Sequence, residues 1–487
     1  MNNVRSLALL VLFLLPFAVG CGAATSSGPA GATVAPASAE LFVSVRTDSG
    51  SGQWKQAANL VEKFPDSDKA VAWLVGQLTA KSIDFQRDVE PALGPETDIV
   101  GLDRSGGGEF VGLTQPDDAQ KLKDVLRKLD EGIVTREVGD GWTAFSDSEA
   151  TLDLFDSARR DGTLAGSSDY EDAMAEIDQD GLVRLYLNGG GLEDTVQQEG
   201  NLPSGALGGF FPQGKVPPLG LSLKVEHNGL RVDGAAKLAG DEGGFAPENF
   251  KAQLPEQVPG GALLYADFND FESSLSALRD SLAEMAPDFD RDLARIEAEL
   301  GVSLEEDVFP LFSGETALYV RPGFLIPEVT LVTQVEDESA AMATLGKLVA
   351  GLREYLPGAQ QVQDVEIDGV QGKEMPISPP FSVYWAAFDG HLVVSSSRDG
   401  IAQLRKHDDR LAEDGHFNDA LENAGVPDET NGFVYVNLHD AIPYVLGLVG
   451  GSVPDVVRAN LEPLDHLVLY GSKDGRTLKF SGFLGVD

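Results

Sequence analysis

The residues able to do chemistry are few and scattered. The chain has one cysteine, Cys21, in 487 residues, and six histidines: His227, His391, His407, His416, His439 and His466. No HExxH occurs, and no two histidines stand at the i, i+4 spacing that places two ligands on one helix face. The best metal-like grouping is His407-Asp408-Asp409 with His416. It reads as the charged end of a surface helix rather than a zinc site. Asp288, Asp290, Asp292 and Glu299 mimic the ligand spacing of a calcium loop, but Leu293 stands where that loop requires glycine. There is no nucleophile elbow, no phosphate-binding loop and no dinucleotide fingerprint. Gly106-Gly107-Gly108 reads as a turn, and Ser395-Ser396-Ser397 as the end of an apolar strand. Among 78 acidic residues a pair of carboxylates singles out nothing. The expectation is therefore no catalytic residue, no metal and no cofactor.

Cys21 has a different chemistry. Arg5 gives the start of the chain a positive charge, Leu7–Leu15 is an unbroken apolar run, and Ala18-Val19-Gly20-Cys21 follows. Charge, short apolar core and small residues describe a signal peptide over residues 1–20. The run is shorter than the roughly 20 residues of a membrane span. Ala18-Val19-Gly20-Cys21 resembles the bacterial lipobox, with alanine where leucine is usual. The resemblance implies cleavage before Cys21 and lipidation of its sulfur, so the protein's first expected partner is a membrane. Two or more acyl chains anchor stably, whereas one is marginal. Residues 21–38 carry no charge and little bulk, and read as a flexible tether.

The formal charge is −42. Nucleic-acid binding depends on Lys and Arg neutralising phosphates, so this balance excludes it as a partner class. It also opposes lying flat on anionic lipid. An acidic, solvated surface suits an extracytoplasmic protein.

The elements must be read from an internal repeat. Residues 88–97 (DVEPALGPET) and 307–316 (DVFPLFSGET) match at Asp88, Val89, Pro91, Glu96 and Thr97 without a gap. Gln115–Asp118 faces Gln334–Asp337 at the same offset, Tyr170–Met174 faces Phe417–Leu421, and Tyr186-Leu187-Asn188 faces Tyr435-Val436-Asn437. Each copy opens on an apolar strand, Glu40–Arg46 or Ala262–Phe268, and a helical region follows. Strands then come at 98–103 and 109–115, or 316–320 and 328–334, with helices at 117–129 and 338–352. Each copy ends on a hairpin about Asn228-Gly229 or Asp474-Gly475, a strong turn signal. The fold class is α+β, as two tandem copies of an antiparallel or mixed sheet with helices, over residues 39–240 and 260–487. Residues 241–259, rich in Gly and Pro, read as a linker. Glu96 and Glu315 read as structural residues at a turn before a strand.

The two DVxP…ET segments, the opening strands and the lipobox together resemble a family of exported bacterial proteins catalogued only as domain of unknown function thirty-three fifty-two. The resemblance implies an envelope location and supplies no activity or catalytic residue.

One further feature recurs. Between the Tyr-x-Asn strand and the final hairpin each copy inserts an apolar segment, Ala206–Phe211 or Ala441–Val449. The plain expectation is a cover for one sheet face. The sharper one is a surface for an apolar ligand or protein partner, carried by Phe210, Phe211, Tyr444, Leu446 and Leu448. The sequence thus reads as a non-enzymatic binding or scaffold lipoprotein of the cell envelope. A carrier of lipid or another apolar molecule is the alternative, and an envelope hydrolase a distant third.

Overall fold

The computed structural model describes residues 28–103, 109–190, 216–238, 247–286, 288–323, 326–353, 358–378, 381–406, 409–449 and 453–487. Cys21, Phe210 and Phe211 lie outside them.

The first half runs β1 (Leu41–Arg46), α1 (Gly52–Glu62), α2 (Ser67–Ala80), β2 (Glu96–Asp103), β3 (Glu109–Thr114), α3 (Ala119–Leu129), β4 (Val134–Gly139), β5 (Trp142–Ser146), α4 (Glu149–Ala158), α5 (Ser168–Met174), β6 (Val183–Leu187), β7 (Leu219–Glu226) and β8 (Gly229–Lys237). The second half opens with β9 (Leu264–Phe268), α6 (Phe271–Met285), α7 (Phe289–Leu300), β10 (Thr316–Arg321), β11 (Glu328–Gln334) and α8 (Glu338–Leu352). It continues through β12 (Gln363–Ile367), β13 (Val370–Ser378), β14 (Phe381–Phe388), β15 (His391–Ser395), α9 (Arg398–Lys406) and α10 (Gly415–Ala424). It closes with β16 (Gly432–Asn437), α11 (Leu438–Val449), α12 (Asp455–Leu461), β17 (Leu464–Asp474) and β18 (Thr477–Val486).

Local chemistry sets the boundaries. Asp118 caps α3 by accepting from the Gln120 and Lys121 amides, and Asp337 caps α8 in the same way from Ser339 and Ala340. Asp140-Gly141, Asp368-Gly369 and Asp389-Gly390 all have positive φ at both residues, the geometry of the tight hairpin turn that Asp-Gly favours. They close β4–β5, β12–β13 and β14–β15. Strands β4, β12 and β13 are additional to those expected from sequence.

Among the described residues all strand pairs are antiparallel and join into one 18-stranded sheet. Its order is β4-β5-β3-β2-β1-β6-β7-β8-β18-β17-β16-β9-β10-β11-β15-β14-β13-β12. Read outward from the β8–β18 joint, the two halves follow the same strand order through β5 and β15. The two DVxP segments precede β2 and β10, which hold matching places. Where the sequence suggests a sheet in each half, the terminal hairpins pair edge to edge and remove both edges, each otherwise a template for aggregation.

One sheet face is buried beneath helices. In the first half, Tyr170 of α5 packs edge-on against Tyr186 at 5.2 Å and Phe42 at 6.1 Å. In the second, Phe417 of α10 packs the same way against Tyr435 at 5.1 Å and Tyr265 at 6.0 Å. These rings anchor two separate cores, completed by Leu152 and Phe155 of α4 and by Ile401 and Leu404 of α9.

Two sequence expectations need correction. Part of the supposed tether is folded: Ala30–Thr33 forms a 3-10 turn, and Ala32, Val34 and Ala35 are buried in the first core. Part of the supposed linker is folded too, since Leu254 and Val258 are fully buried in the second core. Small residues that build no core of their own can still close one built by longer-range strands. Glu96 accepts from the Gly31 amide at 3.0 Å, and Glu315 from the Gln253 and Leu254 amides at 2.7 and 2.6 Å. Each glutamate thus ties the segment preceding its half to the sheet.

Candidate functional site

The opposite sheet face is the feature that sets this molecule apart. Residues facing one another across paired strands share a face, and side chains alternate along each strand. One cross-strand row runs Val183, Leu223, Val232, Gly482, Leu469, Val434, Ala266, Leu318 and Leu331. On one side of it lie Val43, Leu185, Leu221, Gly234 and Phe480; on the other lie Leu230, Leu484, Leu467, Val436, Leu264 and Val320. All three rows are apolar and cross the joint between the halves.

This face is only partly covered among the described residues. Helix α1 packs Trp54, Ala57 and Leu60 over one end, against Val183, Val225, Leu230 and Leu484. Beyond it the aliphatics are half-buried at most, and Val232, Leu469 and Phe480 are 37, 44 and 41% exposed. An antiparallel sheet with one solvated face normally turns polar residues to water. Here the strands alternate the other way: β7 sends Ser222 and Lys224 to the helix side and Leu219, Leu221 and Leu223 to the open side. Ten strands at about 4.8 Å spacing make this face roughly 43 Å wide.

Helix α11 stands beside it. Tyr444 Oη donates to the Gly323 carbonyl at 3.2 Å and accepts from the Gly323 amide at 3.1 Å, tying α11 to the loop after β10. Tyr444 and Leu446 are half-buried, while Val445, Leu448 and Val449 are 50–60% exposed. No residue of α11 is fully buried, so this segment is a regular helix showing apolar side chains to solvent. Helix α12 carries exposed Val456 and Val457, and its Asn460 hydrogen-bonds Asp66 at the α1–α2 turn. No helix among the described residues is long and apolar enough to cross a membrane.

The strongest electrostatic anomalies lie on the helix side. Burial, then the neighbouring Glu315, pushes Asp267 up to about 8, and Tyr265 donates to it at 2.7 Å. Burial likewise raises fully enclosed Asp98, with the charge of Glu96 adding to it. Arg184, buried, pairs with Glu96 at 3.0 Å. These groups sit in packed core beneath helices, where they order the fold. The described pockets are shallow and polar; one of about 520 Å³ is lined by Arg46, Gln53, Asp180, Lys224 and His227. Of the metal-like grouping considered from sequence, His407 and Asp408 lie outside the described residues. His416 instead meets His439 and Asp465, a gathering that no spacing in the chain announces.

Fold and open face define an α+β protein on one continuous antiparallel sheet, apolar on both sides. The chain belongs to a family of proteins of unknown function, DUF3352, whose model matches residues 113–463. No curated protein matches it. Among solved structures, crystal forms I and III of TP0453 align over 45% of this chain and 82% of their own, at 13 and 11% identity and TM-scores of 0.22 and 0.21. That likeness is too slight to define a shared fold.

Proposed function

We propose that this chain is an exported, lipid-anchored protein of the bacterial envelope that holds an apolar ligand of lipid character on the open sheet face. The observation that carries the reading is the three-row apolar surface spanning the joint. Exposing that much aliphatic area to water is unfavourable by about 25 cal/mol per Å² relative to covering it. A molecule offering extended hydrocarbon would recover that free energy without requiring any polar partner. The exposed side of α11, with Leu448 and Val449, is the place where such a molecule would be met at the rim. Phe210 and Phe211 would contribute from the corresponding insert of the first half. The lipobox at Cys21 supports placement beside a membrane, the source of such a ligand. The acidic surface favours handing on neutral hydrocarbon over adsorbing to anionic lipid. The matched strand order supports reading residues 39–240 and 260–487 as tandem copies, here fused through their terminal hairpins.

The test is titration of the protein with the neutral fluorescent probe N-phenylnaphthylamine. Saturable binding is expected, with Val232→Asp plus Leu469→Asp abolishing it and Leu448→Asp weakening it. All three residues face solvent, so the variants should keep their far-ultraviolet circular dichroism. Unchanged probe binding in the folded double variant would overturn the proposal.

A further inference from the structure

Three of the six histidines converge on one point of the second half, from three different elements. His416 lies in the first turn of α10, His439 in the first turn of α11, and His466 beside Asp465 at the start of β17. One ligand atom each from His416, His439 and Asp465 lie within 4.8 Å of one another. His416 Nε2 approaches Asp465 Oδ1 at 3.2 Å, and the His416 and His439 rings are 5.4 Å apart. We infer that His416, His439 and Asp465 form a binding site for a divalent transition-metal ion such as zinc.

Several features support this beyond proximity. His416 Nε2 and Asp465 Oδ1 are both buried and stand 3.2 Å apart, yet neither makes a hydrogen bond, so two good ligand atoms lie side by side unsatisfied. The other carboxylate oxygen is held: His466 Nδ1 donates to Asp465 Oδ2 at 2.6 Å, as an outer partner orients a ligating carboxylate. That ring has its place because residue 485 is glycine, where a Cβ would stand 2.5 Å from His466 Cε1. The positive ends of two helices oppose a cation here. Asp414, which caps α10, and Asp440, which bonds Asn437, lie in the same first turns as His416 and His439 and add two carboxylates that offset them.

Two imidazoles and a carboxylate suit zinc and its first-row neighbours, and three protein ligands leave a position open. Metal–ligand bonds of about 2.0–2.2 Å require the three atoms to close in somewhat. His439 is exposed and free to swing. By strand order and register, the first half has Asp169, Gly190 and Pro217 at the corresponding positions, so nothing in the shared architecture demands this trio.

The experiment is a Co²⁺ titration of the mature, detergent-solubilised protein in excess Mg²⁺, read by visible absorption, with Zn²⁺ as competitor. One-to-one binding, displaced by Zn²⁺, is expected. His439→Ala, an exposed change that leaves the core intact, should weaken it at least about ten-fold, and Asp465→Asn should do the same. His227→Ala should bind like wild type. Absence of saturable one-to-one binding, or equal affinity in wild type and a folded His439→Ala variant, would overturn the site. Probe binding on the sheet face is independent of either outcome.

Discussion

Ser481 donates a hydrogen bond to Asp233 at 2.5 Å, and these two residues are the centre of the joint between the halves. Pairing between β8 and β18 runs from Gly229↔Gly485 to Lys237↔Thr477, with Asp233↔Ser481 in the middle. The two strands hold the same place in their halves, so the pairing is symmetric about this bond. One residue to either side, Val232 faces Gly482 and Phe480 faces Gly234. Each bulky side chain thus meets a glycine.

The joint is therefore sensitive to bulk at its glycines. A Cβ at Gly234 would stand 1.9 Å from Phe480 Cζ. Gly234→Val should destabilise the protein by about 1–3 kcal/mol in urea unfolding, as overpacking does. Ser481→Ala should cost only about 1 kcal/mol, the net value of one hydrogen bond. Equal stability of Gly234→Val and wild type would mean that the ring moves aside freely.

Breaking the Glu96–Arg184 pair should be more damaging than its single contact suggests. Arg184 is 2% exposed, and without Glu96 its acidic neighbour would be the enclosed Asp98, which burial holds toward the neutral form. Glu96→Ala should lose about 3–5 kcal/mol. The double variant Glu96→Ala, Arg184→Met should recover much of that, as measured by denaturant midpoint.

Asp267 predicts a particular pH dependence. An unfolded aspartate titrates near 3.9, and in the fold burial and Glu315 push Asp267 up to about 8. Between those values the folded protein keeps a proton that the unfolded chain has released. Stability therefore falls as pH rises through this window, and the loss is complete above it. Asp267→Asn should flatten the slope, gaining on the order of 1 kcal/mol over wild type at pH 8.5 and little at pH 4. Glu315 and Asp98, both raised, leave a residual slope of the same sign. A variant whose melting temperature tracks wild type at every pH would show that Asp267 is ionised at no cost.

Anchoring is tested at the sulfur itself. Cys21→Ser should leave the protein unprocessed or released from the membrane fraction, with no incorporation of labelled palmitate. A Cys21→Ser protein that is cleaved and membrane-bound like wild type would rule out the lipid anchor.

Local signals reached far into this fold. The paired DVxP segments, the helices α3 and α8 and the terminal hairpins were legible because each depends on residues a few positions apart. The same is true of the α+β class and of the expectation that Glu96 and Glu315 are structural. The Asp-Gly turns that close β4–β5 and β12–β13 carry an equally local signal.

What only the tertiary structure decided depends on contacts across the whole chain. Ala32, Val34 and Leu254 look like tether and linker by composition, and they are buried because distant strands offer them a core. The apolar face is invisible in any one strand, since a strand apolar on both sides reads as an ordinary buried one. It becomes a surface only when ten strands align and helices cover one side. His416, His439 and Asp465 meet because two helix starts and a strand start fall at the same end of the sheet. Side-chain chemistry is written in sequence, whereas its convergence is a property of strand order and register.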